Sequence, residues 1–206
     1  MAKAYFIGGA PRTGKTNLTL SVLRDQPMLA ASTDALRYTL RQVVPREKYP
    51  QLFHLDDMSA NFDEYMSRLI ERTDLSIQMQ NDESLIVWKS VVDFVKSNIL
   101  DGFDVLIEGV AVLPEYLESL DFSYSAVFLG NQSDAHYQTT LESARSNKHD
   151  WLHPFDDTTI RAFSIFNQKF SHYLQVECEK YSQTYIEISD SDYMSTLDDA
   201  KAVLFS

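Results

Sequence analysis

A single cysteine, Cys178, stands among the 206 residues, so no internal disulfide can form and the chain is no cystine-stapled scaffold. Positive charge is also scarce: 18 Lys and Arg face 30 Asp and Glu, a formal net charge of −12. That deficit argues against a broad basic face for nucleic acid or an anionic membrane surface, so any bound anion must be gripped locally. Long apolar runs are missing too, since none approaches the ~18 residues that span a bilayer. The opening residues show neither a long apolar core nor a small-residue cleavage site, and the expected compartment is the cytoplasm. No internal repeat or low-complexity linker interrupts the chain. Its 44 % hydrophobic and 23 % charged content suits one domain over residues 1–206 with insertions. Glycine is rare, six in all, yet three of them crowd into residues 8–14.

What is present alternates short apolar runs with helical patterns. Residues 4–8, 28–32, 104–108, 124–129 and 184–188 read as buried parallel strands. Helical spacing fills 15–25, 33–43, 134–146, 157–181 and 195–205. This βαβα order predicts an α/β fold, a parallel sheet with helices on both faces. Between 45 and 101 the pattern changes. Phe62, Tyr65, Met66, Leu69 and Ile70, then Leu85, Trp88, Val91, Val92, Val95 and Ile99, recur at helical spacing. A helical hairpin inserted between the second and third strands is expected there, either as core cover or as a substrate-recognition insert.

The crowded glycines belong to Gly9-Ala10-Pro11-Arg12-Thr13-Gly14-Lys15-Thr16, which fits G-x-x-x-x-G-K-[ST] at every fixed position, after a strand and before a helix. Such a loop turns successive backbone N–H groups inward, and the helix that follows adds its positive N-terminal end. Lys15 can reach the β- and γ-phosphates of a nucleotide, and the Thr16 hydroxyl can ligate Mg²⁺. Gly9 through Thr16, with Asn17 beyond, are the expected nucleotide-binding residues. No glycine has an Asp three residues before it, so a D-x-x-G switch is absent, as is an L-S-G-G-Q transporter signature. Asn131-Gln132-Ser133-Asp134 is a weak match to the guanine-reading N-K-x-D, with Gln132 in place of Lys; the alternative is a turn in which Asp134 caps the next helix.

Two further stretches carry chemistry. In S-T-D-A-L-R over 32–37, Asp34 and Arg37 share one face at the start of a helix, beyond the carboxyl end of the second strand where ligands collect in open α/β sheets. Asp34 can accept or orient the proton of an attacking hydroxyl, and Arg37 can fork onto an acceptor carboxylate or phosphate. The plainer alternative makes Ser32 or Thr33 the N-cap, Asp34 a complement to the helix dipole, and Arg37 and Arg41 surface residues. In D-V-L-I-E-G-V over 104–110, Glu108 and Gly109 end an apolar strand. They place a carboxylate where it can hold a metal-bound water or touch the acceptor, unless Glu108 is merely an exposed turn residue.

Together, Gly9–Thr16, Ser32–Arg37 and Ile107–Val110 resemble the P-loop kinase superfamily, and within it 2-phosphoglycerate kinase and its small uncharacterised relatives, whose glycine loop is followed by S-T-D-x-[IL]-R and I-E-G-V elements. The stretch from His153 to Phe170 and Y-I-E-I over 185–188 resemble that family's closing helix and last strand. The resemblance implies a three-layer αβα fold with a five-stranded parallel sheet. It implies an enzyme, a kinase that uses ATP and Mg²⁺ to phosphorylate a small acceptor, with Thr16 and Glu108 at the metal and Asp34, Arg37, Glu108 and Gly109 at the acceptor. Ala111, where a polar residue or histidine is expected, is a departure and leaves the acceptor unnamed. Asp34-Ala35-Leu36-Arg37 is similar to the G-D-x-L-R of nucleoside-monophosphate kinases, but E-G-V-A-V-L-P lacks the arginine of their D-G-[FY]-P-R. The zeta-toxin and chloramphenicol phosphotransferase type shares the same layout of loop and Asp.

The superfamily implies a lid, and residues 145–157 are the candidate, with Arg145, Lys148, His149 and His153 in or beside a polar, turn-rich segment. Arg145 could close onto the phosphates and join Lys15 and Asp34 as a catalytic residue, while the lid excludes water. The two histidines read as loop residues rather than a metal pair. Arg161 is either a second phosphate contact or plain surface, and Ser189–Tyr193 would lie near the adenine by analogy. The expected partner is a small-molecule substrate, with no nucleic acid and no membrane; the oligomeric state, a homodimer included, stays open. A nucleotide-binding regulatory module without transfer would need Lys15 and Thr16 but no acceptor residues, so a second pocket lined by Asp34 and the 45–101 insert separates the two readings.

Overall fold

The computed structural model describes residues 2–54, 56 and 61–206. In chain order the elements are β1 (Ala4–Gly9), α1 (Lys15–Asp25), β2 (Leu29–Ser32), α2 (Thr33–Val43), a 3₁₀ turn (Pro50–Phe53), α3 (Phe62–Glu71) and α4 (Thr73–Leu100). They continue with β3 (Val105–Glu108), α5 (Pro114–Leu117), β4 (Tyr124–Gly130), α6 (His136–Ser146), α7 (Asp157–Lys180), β5 (Tyr185–Glu187) and α8 (Tyr193–Leu204). All strand pairs are parallel, in the order β2-β3-β1-β4-β5. Two strands flank β1 on each side, which is why its six residues are all buried and read as an unbroken apolar run.

Alternate residues of β1 feed two cores, as the two-residue side-chain period of a strand requires. Ala4 and Phe6 pack with Val87, Trp88, Val91 and Val95 of α4 and Phe170 and Leu174 of α7. Tyr5 and Ile7 pack with Leu18 and Val22 of α1 and Leu197 and Leu204 of α8. The result is the expected three-layer α/β fold with a five-stranded parallel sheet. Cys178 lies in the first core, and burial pushes its thiol up to about 12, a packing residue rather than a nucleophile. Among the described residues no helix is long and apolar enough to cross a membrane.

Register places the functional ends. Ile7 lies opposite Glu108, and Ser32 lies opposite Glu108 on the other side, so β3 sets its terminal carboxylate between the glycine loop and the start of α2. Ser32 caps α2 by accepting from the Ala35 amide at 3.1 Å. Asp134 does not take the capping role of the alternative reading: α6 begins at His136, Ser133 Oγ accepts from the Ala135 amide, and the Asp134 carboxylate accepts from Gln168 on α7.

The insert is built of α3 and α4, joined through Arg72; residues 55 and 57–60 of the expected 45–101 segment lie outside the described residues. α4 divides by function along its length. Val87, Trp88, Val91 and Val95 complete the sheet core, whereas Ser76, Met79, Gln80 and Glu83 line a cavity. One part of α4 thus covers the sheet core, as one of the two alternatives had it, and another part walls a cavity. The lid segment has its own small core, in which Leu152 is fully buried with Tyr65 and Leu69 of α3, Ala144 of α6 and Ile160 and Phe163 of α7.

Candidate active site

The chain leaves β1 through residues whose backbone needs little or no side chain. Gly9 and Gly14 have φ of 146° and 92°, and a Cβ on Gly14 would strike the Tyr193 hydroxyl at the start of α8. Arg12 also lies at positive φ, 64°, a strained conformation for a residue with a Cβ. Its guanidinium donates to both oxygens of Asp150 at 3.1 and 2.8 Å, so the glycine loop is tied to the lid segment by a two-point charged grip. Burial pushes Asp150 up, but Arg12 and the Leu152 amide outweigh it and hold the carboxyl below its ordinary range.

Inside the loop, the Ala10 carbonyl accepts from Thr13 Oγ1 at 2.8 Å and from Lys15 Nζ at 2.6 Å. Lys15 is nearly buried with that single oxygen partner, and burial lowers its pKa to about 8 against the opposing pull of Glu108 and Asp34. Burial likewise raises Glu108, Lys15 lowers it, and Asp34 adds to the rise. Lys15, Glu108 and Asp34 thus feel one another's charge at one end of the cavity. Thr16 and Asp34 are exposed to it, and neither side chain has a hydrogen-bond partner among the described residues. Asn17 donates to the Tyr193 hydroxyl at 2.7 Å, which sets the Ser189–Tyr193 loop beside the start of α1.

The cavity holds about 710 Å³ and runs from Pro11, Lys15 and Thr16 past Asp34, Glu108 and Gly109 to the insert and Trp151. One continuous space therefore joins the glycine loop, Asp34 and the insert. Gly109, at φ 144°, packs its Cα face against the Thr33 side chain, and any Cβ there would collide with it. Among the described residues no group of three or more His, Cys, Asp or Glu could hold a metal by itself. A hydroxyl and one carboxylate, Thr16 and Glu108, suit Mg²⁺, which keeps waters and phosphate oxygens as its other ligands.

Sequence reasoning placed Arg37 at the site and missed the groups that face it there, Glu83 and His54. Arg37 lines the cavity, but its charge is already engaged by Glu83 of α4 at 3.3 Å, both side chains almost fully buried. Burial works against the Arg37 charge, and Glu83 with Asp34 and Tyr38 more than offsets it, while burial raises Glu83 against the pull of Arg37 and His54. His54 donates from Nδ1 to the Gln51 carbonyl at 2.9 Å and lies 3.4 Å from the same Glu83 oxygen. The signal was available: Glu83 sits on the i, i+4 stripe of Val87, Val91 and Val95, where an acid demands a partner. Asn167 interrupts the buried stripe of Ile160, Phe163, Phe170 and Leu174 in the same way.

Other expected residues lie elsewhere. Arg145 does not line the cavity; it donates to the Asp157 carboxylate at 2.6 Å and to the His153 carbonyl at 3.0 Å. The cation that joins loop and lid is Arg12. His153 donates to the Ala144 carbonyl and His149 is exposed, so both are loop residues, and Arg161 lies over the Tyr137 ring, away from the cavity.

In sequence the chain matches no protein-family model and no curated protein. Among solved structures it is similar to a shikimate kinase from Bacteroides thetaiotaomicron, at 13 % identity and a TM-score of 0.55, over 100 % of this chain and 99 % of that one. It is similar also to an uncharacterised protein from Eubacterium ventriosum, at 12 % identity and a TM-score of 0.50, over 96 % and 94 % of the two chains. The likeness is one of fold: a five-stranded parallel sheet between layers of helices.

Proposed function

We propose that this protein is an ATP- and Mg²⁺-dependent phosphotransferase that moves a γ-phosphoryl group to a hydroxyl of a small anionic metabolite. The observation that carries this reading is the continuity of one cavity from the glycine loop, past Asp34 and Glu108, to a pocket walled by the insert. A module that only held a nucleotide would have no use for the second half.

In this reading the loop N–H groups and Lys15 hold the donor phosphates, with the Lys15 ammonium leaving the Ala10 carbonyl for them. Thr16 and Glu108 hold Mg²⁺, which when bound neutralises charge on the phosphate oxygens. Asp34, whose carboxylate has no hydrogen-bond partner among the described residues, accepts the acceptor hydroxyl's hydrogen bond and aims its oxygen at the phosphorus. In a loose transition state such alignment matters more than full proton removal. The Arg12–Asp150 grip draws the lid over the loop and keeps water from competing with the acceptor. A net charge of −12 favours a small partner over nucleic acid, and the absence of any disulfide agrees with work in the cytoplasm.

The test is Asp34→Asn, which keeps the shape and removes the charge. A screen of metabolites for Mg-ATP-dependent ADP release identifies the acceptor. With it, kcat of Asp34→Asn should fall by about 10²-fold while ATP affinity and melting temperature stay close to wild type. Full activity in the variant removes Asp34 from the chemistry. ADP release by Lys15→Ala equal to that of wild type removes the whole assignment.

A further inference from the structure

The insert side of the cavity contains a cation that no carboxylate of the described residues meets. Of the arginines lining the cavity, Arg12 is paired with Asp150, Arg37 with Glu83 and Arg41 with Asp56. Lys15 belongs to the phosphate loop. Arg68 of α3 makes no ion pair with any described residue; its guanidinium lies over the Tyr65 ring at 5.3 Å, and its Nε is buried without a hydrogen-bond partner.

Two neutral polar groups line the same cavity unused. Ser76 of α4 is 8 % exposed and its hydroxyl is buried with no partner. Asn167 of α7 is 4 % exposed, and its side-chain amide makes no hydrogen bond within the described residues. Buried polar groups are normally satisfied, so the unpartnered Arg68 Nε and Ser76 hydroxyl, with the Asn167 amide on the same cavity wall, mark what its occupant supplies. The helices that carry them, α3, α4 and α7, pack on one another. Leu69, Met79, Phe163 and Phe166 give the space between an apolar lining.

We propose that Arg68, Ser76 and Asn167 form an anion subsite that binds a carboxylate or phosphate carried on a small, largely apolar body. Arg68 supplies the charge and a planar pair of donors, and Ser76 and Asn167 donate to the remaining oxygens. On the insert side Arg68 is the one lining cation without an ion pair among the described residues, so the occupant carries one anionic group there. Arg68 thereby takes the anion contact expected of Arg37, whose charge Glu83 already meets. That the occupant's hydroxyl points at Asp34 rests on the phosphotransfer reading; the subsite itself does not.

The test is calorimetric titration of the full chain, loaded with Mg-ADP, with 4-hydroxycyclohexanecarboxylate, cyclohexyl phosphate and the neutral 4-hydroxycyclohexanecarboxamide. At least one charged probe should bind 10- to 100-fold more tightly than the carboxamide, the range of a charge-assisted hydrogen bond. Which charged probe binds tells carboxylate from phosphate. Arg68→Gln should abolish the preference, Arg68→Lys should keep part of it, and both should bind Mg-ATP as wild type does. Equal binding of charged and neutral probes, no binding of either charged probe, or a preference that survives in Arg68→Gln overturns the subsite. A preference that depends on Arg68 in a protein that phosphorylates no acceptor overturns the transfer reading and leaves the subsite standing. Turnover of a neutral acceptor, indifferent to Arg68, does the reverse.

Discussion

Lys15 sits in the glycine loop with one carbonyl for company, and burial brings its pKa down to about 8. In the unfolded chain a lysine titrates near 10.4, so below about pH 8 both states are protonated and the buried charge costs the fold its full amount. As pH rises from about 8 towards 10.4 the native lysine neutralises first, and this group's cost is relieved. Phosphates favour the charged form, so nucleotide affinity moves the opposite way. We predict that Kd for Mg-ATP is flat from pH 7 to 8 and then rises by up to about tenfold per unit, measured by calorimetry at constant ionic strength. Lys15→Met should bind weakly with no such rise, and a flat wild-type profile to pH 9.5 would refute the prediction. The residues at this end of the cavity, Lys15, Thr16, Asp34 and Glu108, were legible because a motif ties residue type to spacing. Glu83, Arg68 and Asn167 were not, because their meaning lies in what faces them across three helices. Their only trace in the sequence is a polar residue on an otherwise buried stripe.

At the scale of elements, the strands were legible to within a residue or two because five short apolar runs each end in a turn or a helix start. The ends of α1 and α2 coincide with the reading, while α6 starts two residues late, since Ser133 rather than Asp134 closes the turn before it. The segment between α6 and α7 was legible as a polar break between helices, but not its anchoring: a buried Leu152 and the Arg12–Asp150 grip join parts of the chain 138 residues apart. That grip makes a prediction. Asp150→Asn keeps the Leu152 turn contact and removes the charge that Arg12 faces, a loss of about 1.5–3 kcal/mol if it acts as a charge-assisted hydrogen bond. Amide exchange over residues 147–155 should then accelerate by about 10-fold or more, and hydrolysis of ATP without acceptor should rise as the lid opens more often. Exchange unchanged from wild type would show that the Leu152 core alone holds the lid.

Across the whole molecule, the insert and the sheet share one interior. Val87, Trp88, Val91 and Val95 of α4 pack on Phe6 and Val105 of the sheet, and α7 spans both the main core and the lid core through Phe170 and Phe163. The insert cannot leave without stripping apolar surface from the strands, nor the segment around Leu152 without stripping it from α3, α6 and α7, so residues 1–206 should unfold as one cooperative unit. Scanning calorimetry should show a single transition with calorimetric and van't Hoff enthalpies equal. A ligand that binds only the folded chain adds about 2.7 kcal/mol at a hundred times its Kd. At roughly 2–4 °C per kcal/mol for a chain of this size, Mg-ADP should therefore raise the midpoint by roughly 5–10 °C and move the whole peak. The anionic probe that fills the insert side should move the same peak again, since the two halves of the cavity share Asp34 and Glu108 and the walls that hold them. Two resolved transitions, with nucleotide shifting only one, would make the insert and lid an independent unit. The cavity would then be a cleft between units, and its shape would depend on how they meet.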